Sequence, residues 1–178
     1  KADYRKHYSG KFELFKELLA EALDSGNKVV VFSQYLKMIE IINQYCQDQG
    51  IQCIALTGTS KNRGQLIDKF QTDQECKVFV SSLLTGGIGI DLTAASTVIH
   101  YDRWWNASKE DQASDRVHRI GQKKFVQIFK LVTTGTLEEK IAKMIADKQK
   151  LVEKYLGQDS AVNSTFSREE LISLLQQP

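Results

Sequence analysis

The sequence predicts an α/β fold, a parallel sheet with helices on both faces followed by a C-terminal helical appendage. Short β-branched apolar runs alternate with longer stretches of helical periodicity, the pattern of strand–helix–strand units. The apolar runs carry few polar breaks, as strands covered on both faces do. After the fifth run the alternation stops and only helical periodicity remains.

In "GKFELFKELLAEALDSG", Phe12, Phe15, Leu18, Leu19, Ala22 and Leu23 form one apolar stripe, and Gly26 is placed to end the helix. "KVVVFS" (28–33) is the first strand. "QYLKMIEIINQYCQDQG" repeats the helical plan with Met38, Ile39, Ile42, Tyr45 and Cys46, closing at Gly50. The strand "IQCIALT" (51–57), a shorter helix "RGQLIDKFQ" and the strands "KVFVSS" (77–82) and "STVIHYD" (96–102) follow. Asn106 is placed to cap a helix that runs on through "DQASDRVHRIGQ" (111–122), and "FVQIFKLV" (125–132) is the last strand. "TLEEKIAKMIADKQKLVEKYLG" opens with Thr136 and Glu139 in capping-box positions. After the polar "QDSAVNST", Ser167 and Glu170 cap a short apolar helix. The chain thus divides into a lobe over residues 1–156 and a linker with a docking helix over 157–178. Ligands of such sheets collect at the carboxyl ends of the strands, so the loops after Ser33, Thr57, Ser82 and Asp102 are the candidate sites.

The 178 residues, 42% hydrophobic and 26% charged, suit a globular domain with a core that needs no disulfide. A net charge of +2 requires any anion-binding surface to be local. Cys46, Cys53 and Cys76 lie singly in apolar stretches and read as reduced core thiols, which points to an intracellular protein. No segment resembles a signal peptide, and no apolar run approaches the roughly 20 residues of a membrane-spanning helix. The first residue is Lys1 rather than methionine, as expected of a piece of a longer polypeptide.

Four stretches carry candidate chemistry. In "DQASDRVHRIGQ", helical spacing puts Gln112, Arg116 and Arg119 on one face, either a solvated surface or one that reads phosphate with two planar donor forks. "SSLLTGGIGIDLT" (81–93) follows a strand with Gly86, Gly87 and Gly89, where backbone amides can approach a phosphate or the chain can simply turn tightly. Leu92 stands where a dinucleotide-binding G-x-G-x-x-G would place its third glycine, and no Walker phosphate loop occurs. "LTGTS" (56–60) offers hydroxyls and amides, with Thr59 or Ser60 equally suited to cap the next helix. In "YDRWWNAS" (101–108), one of Trp104 and Trp105 is expected in the core and the other at the surface. The aromatic pair, glycine loop and arginine face are all expected at one end of the sheet. His7, His100 and His118 are not spaced as metal ligands; His100 reads as a core or edge residue and His118 as a helix-surface one.

"KVVVFSQY", "SSLLTGGIGIDLTAASTVIHYDRWWN", "DQASDRVHRIGQ" and "VTTGTLEEKI", in this order and spacing, resemble the second ATPase lobe of Swi/Snf-type remodellers, DNA-dependent ATP-driven translocases of the second helicase superfamily. The resemblance covers about residues 1–156 and implies a RecA-like lobe that works with a first lobe of the same polypeptide. It implies ATP in the cleft between lobes, with the Walker lysine and the Mg2+ site on the other lobe. Arg116 and Arg119 match the arginine fingers, with Gln112 beside them. Gly87, Gly89 and Asp91 match a motif that couples nucleotide to DNA. Ser33, Gln34, Gly58, Thr59, Trp104 and Trp105 match positions that face duplex DNA, whose backbone contacts bind without reading sequence.

The implied partners are double-stranded DNA, the first lobe, and a DNA-bound protein to be displaced; no membrane is involved. The implied location is intracellular and DNA-associated. Asp115, where many helicases of the superfamily have glycine, sharpens the resemblance. Leu84 replaces a frequent basic residue, Ala107 a frequent proline and Thr57 a frequent aspartate. The lack of large insertions suggests a compact, prokaryotic member. A lobe of a strand-separating helicase and a non-catalytic DNA- or protein-binding module are the alternative readings.

Overall fold

Four consecutive branched or aromatic residues, Val29–Phe32 (β1), have no polar face and are buried on both sides. In the computed structural model, which describes residues 9–82, 90–119 and 122–156, β1 lies at the centre of a five-stranded sheet. The other strands are β2 (Gln52–Leu56), β3 (Cys76–Ser81), β4 (Thr97–His100) and β5 (Gln127–Lys130). Their order is β2-β3-β1-β4-β5, and every pairing is parallel.

Parallel neighbours require crossovers, and α1 (Gly10–Asp24), α2 (Leu36–Asp48), α3 (Arg63–Thr72) and α4 (Ala107–Ser114) lead into or connect these strands. The period-2 alternation of the strands divides the core into two layers. Val29, Val31, Val78, Val80 and Ile99 meet α1 and α2 through Phe12, Phe15, Leu19, Ile39 and Ile42. Val30, Phe32, Phe79 and Val98 meet Phe70 of α3 and Ala113 of α4 on the opposite face. Helices therefore cover both faces, as the sequence predicts. Gly26 and Gly50 end α1 and α2 with φ of +72° and +68°, values that glycine reaches without steric cost.

The cysteines are all free, with Cys46 and Cys76 buried. α5 (Leu137–Leu156) supplies the helical appendage; Ile141 and Ile145 pack on Ala107, and Lys11 of α1 bonds Glu138 at 2.6 Å. No helix among the described residues is long and apolar enough to cross a membrane.

The structure corrects several local expectations. β5 is an edge strand, with nothing paired beyond it among the described residues, and its Ile128 is exposed. Neither Thr59 nor Ser60 stands at the N-cap of α3; Asn62 does, in the left-handed region (φ 55°) and without a side-chain capping hydrogen bond, while the Ser60 hydroxyl accepts from the Thr57 N–H at 2.9 Å. Asn106 occupies the N-cap of α4 without a capping hydrogen bond, and its Oδ1 is buried with no partner. At α5, Glu139 reaches back to the Gly135 N–H (2.7 Å) rather than to that of Thr136, so the capping box is displaced by one residue. Gly87, Gly89, Leu84 and the docking segment 157–178 lie outside the described residues.

Candidate functional site: an arginine-lined cleft and a tryptophan turn

α4 stops at Ser114, so Arg116 and Arg119 do not stand on a helical face. After the helical bond from Asp115 N–H to Asp111 O (2.8 Å) the chain tightens, with Arg116 N–H to Ala113 O (3.2 Å) and Val117 N–H to Ser114 O (2.9 Å), and a single further helical bond, His118 N–H to Ser114 O (3.0 Å), closes the turn. Two tertiary demands end the helix. Val117 is wholly buried in the core, and the Arg116 carbonyl accepts from the Leu92 N–H at 2.9 Å. Gln122 fixes the far side of the turn, donating to the Thr93 and Ala95 carbonyls at 3.0 and 2.7 Å.

The turn nevertheless brings the three side chains together. Gln112, Asp115, Arg116, His118 and Arg119 line one open cleft of about 380 Å³. Arg116 makes no ion pair among the described residues, so its donor fork remains available to an anion. Arg119 pairs with Asp91, both side chains about half exposed. An ion pair so wet is worth about 0–1 kcal/mol, so an arriving phosphate can replace it cheaply. Among the described residues, no three His, Cys, Asp or Glu side chains are grouped to hold a metal ion.

The tryptophan turn belongs to the other end of the sheet. It follows the carboxyl end of β4, whereas the arginine turn is bonded to residues 92–95, which lead into the amino end of that strand. The two expected sites are therefore separated by α4 rather than gathered at one end. Trp104 packs on the core and Trp105 is 39% exposed; their rings stack at 6.1 Å with 22° between planes. One inward and one outward tryptophan is the division the sequence suggests.

Beside them, Ser33 is completely buried, its hydroxyl 3.1 Å from Asp102 Oδ1 and accepting from the Tyr35 N–H at 3.1 Å. Its hydroxyl is turned inward and shapes the turn. Gln34 donates its N–H to Asp102 Oδ2 (2.8 Å) and its side-chain amide to the Arg103 carbonyl (3.2 Å). Burial raises the Asp102 carboxyl, against the hydrogen bonds from Gln34 and Ser33. Gly58 and Thr59 are exposed; the Gly58 carbonyl accepts from Arg63 Nη2 at 2.6 Å, and Thr59 Oγ1 lies 3.1 Å from Thr57 Oγ1.

Sequence reasoning missed Asp102, Arg103 and Glu110. Glu110 is wholly buried and receives Arg103 Nε (3.0 Å), Arg103 Nη2 (3.2 Å) and the Trp104 N–H (2.7 Å), with Lys130 Nζ at 3.2 Å. Burial pushes its carboxyl up, but the bonds from Arg103 and Trp104 and the charges of Arg103 and Lys130 outweigh it, leaving it below the usual glutamate value. The available signal was a carboxylate seven residues after an arginine across a turn, too common a spacing to single out.

Residues 10–121 match the family described as the helicase conserved C-terminal domain. This chain belongs to that family. An ATP-dependent helicase of Mycoplasma pneumoniae is 39% identical over 170 residues, which are 94% of this chain and 16% of that protein. The chromatin-remodeling ATPase INO80 of Drosophila melanogaster is 36% identical over 169 residues, 94% of this chain and 10% of the relative. A solved SWI2/SNF2 ATPase core of Sulfolobus solfataricus in complex with dsDNA is 37% identical with a TM-score of 0.72, covering 100% of this chain and 37% of that one. The helicase C-terminal domain described here is of the Snf2 type, with the RecA-like fold. It spans about a sixth of the Mycoplasma relative's length and a tenth of the INO80 ATPase's.

Proposed function

We propose that this chain is the second motor lobe of an ATP-dependent double-stranded-DNA translocase. The observation that carries the reading is the cleft shared by Gln112, Arg116 and Arg119. An arginine finger neutralises charge on a phosphoryl group in the transition state, worth about 10³–10⁵ in rate where it has been measured. Arg116 supplies one free fork; Arg119 supplies a second on leaving Asp91. Asp91 lies in the segment assigned to nucleotide–DNA coupling, so nucleotide arrival at Arg119 also releases that segment's carboxylate.

ATP and Mg2+ are held mainly by the first lobe, which brings the γ-phosphate to these arginines. Support for the activity comes from relatives that are ATP-dependent helicases and a chromatin-remodeling ATPase. Support for duplex DNA comes from the Sulfolobus core solved with dsDNA. On this reading Gln34, Gly58, Thr59 and Trp105 form the duplex-facing surface, Trp104 backs Trp105, and a DNA-bound protein is the obstacle moved. The protein acts where its DNA is.

The deciding experiment compares ATP hydrolysis by the two-lobe polypeptide on duplex DNA, single-stranded DNA and RNA with that of this chain alone. Duplex-specific stimulation in the first and no turnover in the second is expected. Equal stimulation by single strands or RNA would transfer the lobe to the strand-separating helicases.

A further inference from the structure

We infer that Glu110 is the positioning residue that couples the tryptophan turn to the arginine turn, an inference that rests on the translocase reading. One carboxylate joins three elements. It accepts the Trp104 N–H at 2.7 Å, holds Arg103 of the same turn by two bonds at 3.0 and 3.2 Å, and reaches Lys130 at the end of β5 at 3.2 Å. Its own backbone carbonyl accepts from Ser114 Oγ (3.1 Å), which lies 2.9 Å from His100 Nε2 on β4. Ser114 is the last residue of α4, and Arg116 follows two residues later.

α4 has only eight residues, about 12 Å of helix, and Glu110 sits in its first half. A shift of the Trp104 peptide therefore acts on this helix through a hydrogen bond and a bidentate ion pair to a carboxylate that is wholly buried. Packed interiors respond to such a push by moving as units rather than by deforming. Stability alone does not account for the arrangement. Burying a carboxylate is costly, and a buried pair gives little over an apolar filling of the same volume. What the pair does supply is a fixed separation between the turn that carries both tryptophans and the helix that leads to both arginines.

The test is Glu110→Gln, which keeps the shape and removes the charge. In the two-lobe protein, DNA base pairs moved per ATP hydrolysed should fall by roughly 2- to 30-fold, the range over which mutations along packed networks change coupling. In the 178-residue chain the only two tryptophans are Trp104 and Trp105, so its intrinsic fluorescence reports this turn alone. Emission should shift to the red and acrylamide quenching should rise while far-UV circular dichroism is retained. Arg103→Lys, which keeps the charge but loses the fork, should change both readouts in the same direction by less, and serves if Glu110→Gln does not fold.

An unchanged emission, or ATPase and movement falling in equal proportion with a lowered Tm, would reduce Glu110 to a structural ion pair. A wild-type two-lobe protein without DNA-stimulated ATPase would instead overturn the translocase reading, leaving the fluorescence result to judge the mechanical link.

Discussion

Acid should destabilise this lobe through one histidine. His100 is fully enclosed, stacked on Phe32 with ring centroids 5.4 Å apart and bonded through Nε2 to Ser114 Oγ at 2.9 Å. Ser114 donates its hydroxyl hydrogen to the Glu110 carbonyl, so it accepts from His100, and the neutral ring carries its proton on Nε2. Nδ1 is buried with no hydrogen-bond partner. Burial lowers the pKa from the ordinary 6.5 to about 4, with Glu110 opposing and the Lys130 and Arg103 charges adding to the fall.

Because the folded value is depressed, the unfolded chain takes up the proton first as pH drops. The contribution of neutral His100 is complete above the unfolded value of 6.5 and is lost progressively until the pH passes the folded value near 4. At about pH 5 the two titrations differ by a factor of about 30 in favour of the unfolded state, or about 2 kcal/mol. Urea unfolding at about pH 7.5 and about pH 5, for the protein and for His100→Asn, measures this term. The packing cost of the substitution cancels when the pH-dependent loss in the variant is subtracted from that in the parent. A remainder near 2 kcal/mol is expected. A remainder near zero would mean that His100 titrates alike in both states and that its enclosure is not as described.

Arg116→Ala or Arg119→Ala in the two-lobe protein should lower ATP turnover by about 10³-fold or more while sparing duplex binding in a filter or anisotropy assay; retained turnover would remove the finger assignment. Trp105→Ala should reduce DNA movement per ATP with little loss of stability, whereas Trp104→Ala should also lower Tm because its ring packs on the core; identical behaviour of the two variants would contradict their division. Phe70→Ala, at a position with no exposure between α3 and β3, should cost about 3–5 kcal/mol in denaturant unfolding. A loss below about 1 kcal/mol would show that the second core layer is not formed as seen here.

Local patterning was enough to specify the sheet and its helices. Runs such as Val29–Phe32 have no polar residue to turn toward water, and the stripe of Phe12, Phe15 and Leu19 leaves α1 one face to bury. These are local periodicities, and they survive in any packing that satisfies them. The order of the motifs determined the family in the same way, since it is a property of the chain and not of its folding.

Where α4 ends is set by contacts between segments distant in the chain. Residues 111–119 are helical by local pattern, but Leu92 takes the Arg116 carbonyl and the core takes Val117, and both lie far along the chain or in another layer. The tertiary structure also decided that Ser33 turns inward to Asp102, 69 residues away, and that the tryptophan and arginine turns stand apart. Glu110 was illegible for the same reason. A buried carboxylate is tolerated only where folding brings donors to it, and Arg103, the Trp104 N–H and Lys130 converge on it only once β4, α4 and β5 are side by side.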